Sequence, residues 1–397
     1  MISFPQELLD AIVDEINDAS TLASCALAAK PLLLPCQRKI FRSLHLVSHE
    51  PRKPRMRGAL NFTEAHALFT GAPHLGSYVR NLTIQVPVAL TDLPGWNLAL
   101  HSAQNVERLV VYEAASSMPR SILPPETMTS LVEFLASPSL GRLHLAEVRN
   151  VPSALISAAM LIPVVSFIHV RLKQEDPLIP TQLHSSTSVP RLRDLTIMFS
   201  TPLPGPCDFL LHPRHPPYTS HIERLEIRLT PRGDQRLLTA CAATLKYLVL
   251  DAILDTSINI PHLPLVCDVK IEVSVDEDWR LPASLPPILS QIPTSLPAVE
   301  TITLVFVSDR RFRNVAWIGD HLPIFGPSFT TCRELLHLRR VHCELVQHIG
   351  IYAVSKHTLF DGFVQAVETS MPGLEGTGIL TCTLAAPFPS SYIDRLP

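Results

Sequence analysis

Apolar residues near the start of the chain recur with the period of an α-helix. In SFPQELLDAIVDEI, residues 3–16, they follow one another at spacings of three and four, which places them on one helical face. Ser3 and Gln6 have the spacing of a capping box, and Pro5 falls where a first helical turn tolerates proline. The pattern predicts a short amphipathic helix with the apolar positions Leu8, Leu9, Ile12, Val13 and Ile16.

Two more short helices are predicted before residue 46. In NDASTLASCALAAK, Asp18 or Ser20 can cap a small apolar helix over residues 21–29. After Pro31 and Pro35, the segment CQRKIFRSLHL again has helical spacing, at Cys36, Ile40, Phe41 and Leu44. Three helices of this size are near the lower limit for independent stability. We therefore expect them to need a partner surface or the following domain to complete their core.

A basic, proline-containing segment, SHEPRKPRMRG, follows the predicted helices. Its charges indicate a solvated linker, with a nuclear-localisation or nucleic-acid-binding patch as the alternative. The chain then divides into a helical unit at 1–46, a linker and first connecting segment at 47–76, and a repeat region with a C-terminal cap at 77–397.

A loose motif recurs in the repeat region: one apolar residue, two others, an apolar residue, one other, and a final apolar residue. The two-residue gap holds a charged residue in eight of the nine copies, although only 17% of the chain is charged, and this enrichment supports a real repeat. The copies are VRNLTI at 79–84, VERLVV at 106–111, LGRLHL at 140–145, VSFIHV at 165–170, LRDLTI at 192–197, IERLEI at 222–227, LKYLVL at 245–250, VCDVKI at 266–271 and VETITL at 299–304.

The alternating end of each copy predicts a short strand with one face turned inward. Helix-like stretches lie between copies, for example TMTSLVEFLASP at 127–138 and DQRLLTACAATL at 234–245. A strand, a loop, a helix and a loop back to the next strand make up one leucine-rich repeat. The predicted fold is α/β: a three-helix unit followed by an irregular solenoid of parallel strands with helices on the outer face.

One uncharged stretch has the length of a membrane span. It is NVPSALISAAMLIPVVSFIHV, between Arg149 and Arg171, and Pro163 divides it. We interpret it as a small-residue helix followed by a buried strand, and we predict no membrane span.

Composition narrows the function classes. The net charge of −3 gives no positive excess for a general nucleic-acid binder, and 14 Gly against 37 Pro disfavours phosphate-binding loops. No pair among the eight Cys has the C-x-x-C spacing, and the acidic start does not resemble a secretory signal. We therefore expect reduced cysteines and an intracellular protein of the cytoplasm or nucleus.

Candidate chemistry is sparse. His212, His215 and His221 lie close in sequence, as do His337, His342, Cys343 and His348, but these spacings match no metal module. The run VDEDW at 275–279 indicates a solvated turn, and no Walker-type, G-x-S-x-G or kinase-like motif occurs. We predict no metal, no cofactor and no catalytic residue, with an unrecognised enzyme as the alternative.

Residues 4–46 resemble an F-box of the form found in large fungal families. Phe4-Pro5 stands for the family's Leu-Pro, the first helix keeps its glutamate and apolar positions, and TLASCALAAK and QRKIFRSLHL match the second helix and the close. The chain departs from the pattern where the family has a tryptophan after the second helix and this sequence has KPLLLP. The resemblance assigns to the adaptor interface, or to its immediate support, the residues Phe4, Pro5, Leu8, Leu9, Ile12, Leu22, Leu27 and Phe41.

The remainder, roughly residues 77–385, is similar to the irregular leucine-rich repeats that often follow such F-boxes, although it lacks their asparagine or cysteine ladder. Positions between the buried ones would line a concave face suited to a protein partner. The candidate target-binding residues on this face are Thr83, Tyr112, His144, His169, Arg171, Glu226, Arg228 and Lys270.

Together these resemblances imply a substrate receptor of an SCF-type cullin–RING ubiquitin ligase. The N-terminal helices would bind the Skp-family adaptor, and the solenoid would bind an unknown protein target, with no nucleic acid involved. The alternative is a non-catalytic scaffold whose F-box-like segment only caps the solenoid.

Overall fold

The computed structural model places the chain in two compact units, one comprising Met1–Arg191 with Leu203–Pro206 and the other Leu192–Pro202 with Cys207–Pro397. Within each unit, parallel strands alternate with helices. The residues that the structure describes are 5–48, 59–87, 89–113, 125–173, 191–198, 205–213, 217–228, 234–251, 259–275, 285–308, 337–347, 356–371, 374 and 378–385.

The first unit begins with the three helices that the sequence predicts, α1 (Gln6–Glu15), α2 (Ala19–Ala28) and α3 (Lys30–Ile40). The carboxylate of Asp18 caps α2 by accepting a 2.7 Å hydrogen bond from the Thr21 backbone N–H. The predicted cap at Ser3 lies outside the described residues, and Pro5 precedes the first turn of α1.

A small core and one lysine hold these helices together. Val13, Leu22 and Cys36 are buried against one another, one from each helix. Lys39 donates to the Val13 carbonyl oxygen at 3.0 Å and to the Asp14 carbonyl oxygen, so the end of α3 is tied to carbonyl groups in the last turn of α1.

Among the described residues of the first unit, six parallel strands form the sheet, in the order β6-β5-β4-β3-β1-β2. The chain's second strand lies outside the first, so this edge ends in a strand of three residues, which presents little free backbone to other chains. The strands are β1 (Ser43–Val47), β2 (Ala59–Asn61), β3 (Asn81–Gln85), β4 (Arg108–Tyr112), β5 (Arg142–Ala146) and β6 (Val164–Ile168).

The predicted helix over residues 36–44 continues past the end of the observed helix. The third helix ends at Ile40, and Leu44 lies in β1, where it and Leu46 are buried at alternate positions. The predicted linker and first connecting segment at 47–76 contains β2 and α4 (Phe62–Gly71). A capping box between Asn61 and Glu64 begins α4.

The other helices of the first unit are the 3₁₀ turns Pro73–Tyr78 and Leu90–Asp92, and α5 (Leu93–Ser102), α6 (Pro125–Leu135) and α7 (Ser153–Ala159). The uncharged stretch that has the length of a membrane span contains α7 followed by β6, as its pattern predicts. Across the described residues, no helix combines the length and the apolar character that crossing a bilayer requires.

In the described part of the second unit, seven parallel strands form the sheet, each paired with its neighbour in chain order. They are β7 (Asp194–Met198), β8 (Arg224–Arg228), β9 (Tyr247–Asp251), β10 (Asp268–Val275), β11 (Thr301–Ser308), β12 (Arg340–Gln347) and β13 (Leu380–Ala385). The helices are α8 (Pro206–Leu210), the 3₁₀ turn Tyr218–His221, α9 (Asp234–Cys241), α10 (Leu285–Ser295) and α11 (Lys356–Ser370).

These observations confirm the predicted fold class, but one repeat copy is out of register. Each of the nine copies overlaps a strand, β3 to β11. In β6, however, Ser166 pairs opposite His144, whereas the predicted copy places His169 there. The strand ends at Ile168, because His169 has the left-handed backbone angle φ of 53°.

The core of each unit lies between one face of the sheet and the helices. Strand positions Leu82 and Ile84 in the first unit, and Ile302 and Leu304 in the second, are almost completely buried. In the second unit the rings of Phe306 on β11 and Phe363 on α11 meet edge to face with centroids 5.4 Å apart. Alternate strand positions therefore face the helices, and the intervening positions face the opposite side.

We predict that Gly95→Ala destabilises the first unit by about 1–3 kcal/mol. Helices α4 and α5 approach so closely that a Cβ on Gly95 would meet the Phe62 carbonyl carbon at 2.6 Å, and a backbone atom cannot move aside locally. Urea unfolding should show the loss. Gly71→Ala is the matched control, because a Cβ there meets nothing within 4 Å, and it should be neutral or slightly stabilising. Equal stability of the two variants would contradict this packing.

Candidate protein-interaction surfaces

The three N-terminal helices carry an unusual concentration of exposed apolar side chains. Seven large apolar residues are exposed in the described part of the chain, and five of them lie on these helices. We call these five the exposed apolar set: Leu8, Ile12, Leu27, Leu33 and Leu34. Leu8 and Ile12 are 52% and 55% exposed and lie one turn apart on α1, and Leu27 on α2 is 88% exposed. Such a concentration is typical of a surface that another protein covers.

The structure separates the predicted adaptor residues into exposed and buried groups. Leu8, Ile12 and Leu27 are exposed, as is Pro5 at the start of α1. Leu9 and Phe41 are half-buried, Leu22 is buried in the helical core, and Phe4 lies outside the described residues. Leu22 therefore supports the helices from within.

Sequence reasoning missed Leu33 and Leu34, which are 40% and 43% exposed. They lie in KPLLLP, where the F-box pattern has its tryptophan, and only Leu32 of the three leucines packs against the helical core. Three consecutive leucines on one helix cannot all face inward, and this was the available signal.

On the sheet of the first unit, one row of side chains faces away from the inward-packed positions. The register aligns five residues, which we call the His45 row: His45, Thr83, Val110, His144 and Ser166. Thr83 is half-buried, but Val110, His144 and Ser166 are buried, as is Tyr112 in the next row. The structure therefore buries two of the predicted target-binding residues of this unit, Tyr112 and His144.

A polar cluster occupies the carboxyl ends of β1, β3 and β4. His45 Nε2 and the Tyr112 hydroxyl lie 2.9 Å apart, and the Ser48 backbone N–H donates to Gln85 Oε1 at 3.2 Å. The Ser48 hydroxyl hydrogen-bonds to the Asp92 carboxylate, and all three of Ser48, Gln85 and Asp92 are buried. These mutual bonds satisfy buried polar atoms and fix the strand ends.

His144 is buried without a hydrogen-bond partner on either ring nitrogen among the described residues. Burial lowers the pKa of His144 to about 4, and the positive charges of Arg108 and Arg142 add to this effect. The imidazole is therefore neutral at pH 7.

The corresponding row of the second unit is more polar and more charged. Register aligns seven residues, which we call the Glu226 row: Thr196, Glu226, Val249, Lys270, Thr303, His342 and Thr381. The Thr196 hydroxyl donates to Glu226 Oε2 at 3.3 Å, and Lys270 Nζ lies 2.8 Å from Glu272 Oε1 on the same strand. The ring nitrogens of His342 contact the hydroxyls of Thr381 and Thr383 at 2.8 and 3.1 Å.

The two central charges of this row depend on each other. Burial raises the pKa of Glu226, and the nearby charge of Glu272 raises it further. For Lys270, burial lowers the pKa, but the negative charges of Glu272 and Glu226 outweigh burial and raise it overall. A half-buried lysine beside two carboxylates makes this row a candidate site for charged and hydrogen-bonding groups of a partner.

Two other predicted target-binding residues lie beyond the end of a strand. His169 and Arg171 follow the end of β6, and the backbone N–H of Arg171 donates to the Val148 carbonyl at 3.0 Å. The His169 ring lies 3.9 Å from the Glu147 carboxylate. Their assignment to the sheet face is wrong, because it rests on the misregistered copy at 165–170. Arg228 is the last residue of β8 and pairs in register with Asp251.

The histidine-rich segments have ordinary structural roles where they are described. His342 and Cys343 lie on β12. Among the described residues, no group of three or more His, Cys, Asp or Glu side chains is arranged to hold a metal ion. His215, His348, the acidic run at 276–278 and the basic segment at 51–58 lie outside the described residues.

No protein-family model and no curated protein matches this chain.

We predict that His144 makes stability depend on pH. The pKa is about 4 in the folded chain and near 6.5 when unfolded, so between these values the unfolded chain binds more protons. Stability is full above pH 6.5 and falls as pH drops towards 4, with a loss of about 2 kcal/mol from pH 7 to pH 5.

Urea unfolding at pH 7 and pH 5 measures this loss. His144→Leu should remove that part of the pH dependence, whereas His101→Gln, at an exposed position on α5, controls for the loss of a histidine. Identical pH dependence in wild type and His144→Leu would refute the effect.

Proposed function

We propose that this chain is the substrate-recognition subunit of an SCF-type cullin–RING ubiquitin ligase. Its N-terminal helices bind the Skp-family adaptor, and its solenoid binds a protein target. The observation that carries the proposal is the exposed apolar set on α1, α2 and α3. The F-box resemblance of residues 4–46 supplies the identity of the partner.

The energetics of the helical unit favour a partner. Among its described residues, the core cluster of this unit consists of Val13, Leu22 and Cys36, with five partly buried hydrophobic neighbours around them. The exposed apolar set leaves leucine and isoleucine surface in contact with water. A partner that buried this surface would gain a binding free energy of about 25 cal/mol for each Å² removed from water. An adaptor that covers these side chains would complete the core that so short a unit lacks.

The scaffold alternative also has a specific observation in its favour. Helix α3 ends at Ile40 and β1 begins at Ser43, so the helices join the first sheet with only two residues between them. The Arg42 carbonyl accepts hydrogen bonds from the backbone N–H groups of Arg80 and Asn81, both at 2.9 Å. Such an attached helical element could serve as the cap that a solenoid end requires. Capping explains the attachment, but it leaves the outward-facing leucines without a role.

Adaptor binding should depend on Leu8 and Ile12. We predict that the double variant Leu8→Asp, Ile12→Asp binds a purified Skp-family adaptor roughly a hundredfold more weakly, because about 3 kcal/mol of apolar burial is lost and two carboxylates are desolvated. Isothermal titration calorimetry with the full chain measures the dissociation constant.

The matched control is Leu90→Asp, Leu265→Asp. These leucines are 72% and 48% exposed and lie outside the three N-terminal helices, so their replacement should leave adaptor affinity unchanged. Undiminished adaptor binding by the Leu8, Ile12 variant, with native circular dichroism, would reject the receptor function and leave the scaffold alternative.

Target binding should depend on the Glu226 row. We predict that Lys270→Glu reduces capture of a subset of proteins at least about tenfold in affinity purification of the full chain, while adaptor recovery is unchanged, because the variant places a third negative charge beside Glu226 and Glu272. Lys246→Glu is the control, since this lysine is exposed and pairs with Glu223 away from the row. If both variants capture the same proteins as wild type, this row is not the target-binding surface.

A further inference from the structure

We propose that Cys343 and Cys382 form an oxidant-responsive cysteine pair that closes into a cross-strand disulfide when a peroxide reaches the half-exposed Cys382. The proposal is independent of the ubiquitin-ligase function. Both residues are free cysteines in this structure.

The strand register places the two cysteines directly opposite each other. Cys343 lies on β12, and it pairs with Cys382 of β13 in a parallel ladder that runs from Val341 to Val346 on β12. Neighbouring strands lie about 4.8 Å apart, and disulfides accept Cα separations of about 4.4–6.8 Å. The two strands therefore need not separate or change register to bring the sulfurs together.

The two thiols differ in access to solvent. Cys343 is completely buried, whereas Cys382 on the last strand is only half-buried. The proximity of the Cys343 thiol lowers the pKa of Cys382, in opposition to burial and to the negative charge of Glu368 on α11. The same contact, together with burial, raises the pKa of Cys343. Because Cys382 is the more accessible thiol and its pKa is lowered, it is the sulfur that reacts first, and Cys343 is the resolving thiol.

The chemistry balances with a peroxide as the two-electron oxidant. The Cys382 thiolate attacks one peroxide oxygen, so an S–O bond forms, the O–O bond breaks, and the departing hydroxide or alkoxide takes a proton. The Cys343 sulfur then attacks the Cys382 sulfenic acid. The S–S bond forms, the S–O bond breaks, and hydroxide leaves as water with the Cys343 proton. Two thiols and one hydrogen peroxide thus give one disulfide and two waters.

The disulfide would fix the end of the second sheet. In the reduced chain, β13 is joined to β12 by its main-chain pairing, and it is the last strand in the order of that sheet. A covalent link between residues 343 and 382 closes the intervening chain into a loop and restricts local opening of β13. The pair would therefore couple oxidation to the rigidity of this edge.

The experiment treats the full chain with one to two equivalents of hydrogen peroxide at pH 7.5, blocks the remaining thiols with iodoacetamide, and maps tryptic peptides without reduction. Cleavage after Arg340, Lys356 and Arg395 leaves Cys343 and Cys382 as the only cysteines of their peptides, 341–356 and 357–395. The expected product is these two peptides joined, about 2 Da lighter than their sum, with reversal by dithiothreitol. Amide exchange of β13 should slow about tenfold or more in the oxidised chain.

Cys267 is the internal reference. It is also partly exposed, but burial and the adjacent Asp268 raise its pKa, so brief treatment with iodoacetamide should label Cys382 at least about fivefold faster than Cys267. In Cys343→Ser, peroxide should carry Cys382 to the sulfinic acid, because no resolving thiol remains. Oxidation of wild-type Cys382 to sulfinic acid without the cross-linked peptide, or a disulfide from Cys382 to any other cysteine, would overturn the proposal.

Discussion

Parallel pairing of neighbouring strands is the constraint from which the other features of each unit follow. A residue on one strand is held opposite a fixed residue on the next, as Thr83 is opposite Val110 and Lys270 is opposite Thr303. Because side chains alternate between faces, the pairing directs one set of positions to the helices and stacks the other set into rows. Leucine, isoleucine and valine fill the first set in both units. The side chains that remain available to contact a partner are those of the rows and those of the helices outside the sheets.

The two rows have different physical character. In the His45 row, buried Val110, His144 and Ser166 make the first unit's row largely inaccessible. In the Glu226 row, Lys270 lies between carboxylates and His342 lies between hydroxyls, with all of these side chains at least partly accessible. Direct contact with a charged partner is therefore better supported on the second unit. The N-terminal helices offer the opposite chemistry, an apolar surface, and this difference suits one chain that binds two partners.

Much of the fold could be predicted because apolar residues alternate with others at the ends of the repeat copies, as in LTI and LEI. This alternation identifies both the strand and its buried face. The register of β6 could not be predicted, because Val164, Val165, Phe167 and Ile168 place apolar side chains on both faces of the strand. The sequence pattern therefore does not show which face is buried. Strand β12 was missed because Cys343 takes a core position beside charged and histidine neighbours, whereas the strict alternation of LTCTL in β13 was a usable signal.

The candidate surfaces were predictable to a smaller extent. Exposure of Leu8 and Ile12 follows from having more apolar residues on α1 than one small core accommodates. Burial of Tyr112 and His144 depends on tertiary packing around the sheet face, which no local pattern records. The cysteine pair likewise depends on the register of β12 with β13, in which paired residues are separated by 39 positions in the sequence.

Hydroxyl-radical footprinting tests most directly whether the exposed apolar set of the N-terminal helices is a docking surface. Oxidation of each side chain is measured in the full chain alone and saturated with a Skp-family adaptor. The receptor function predicts strong protection of Leu8, Ile12 and Leu27, with Leu90 and Leu265 unchanged. Equal oxidation of the helical leucines with and without the adaptor would contradict it.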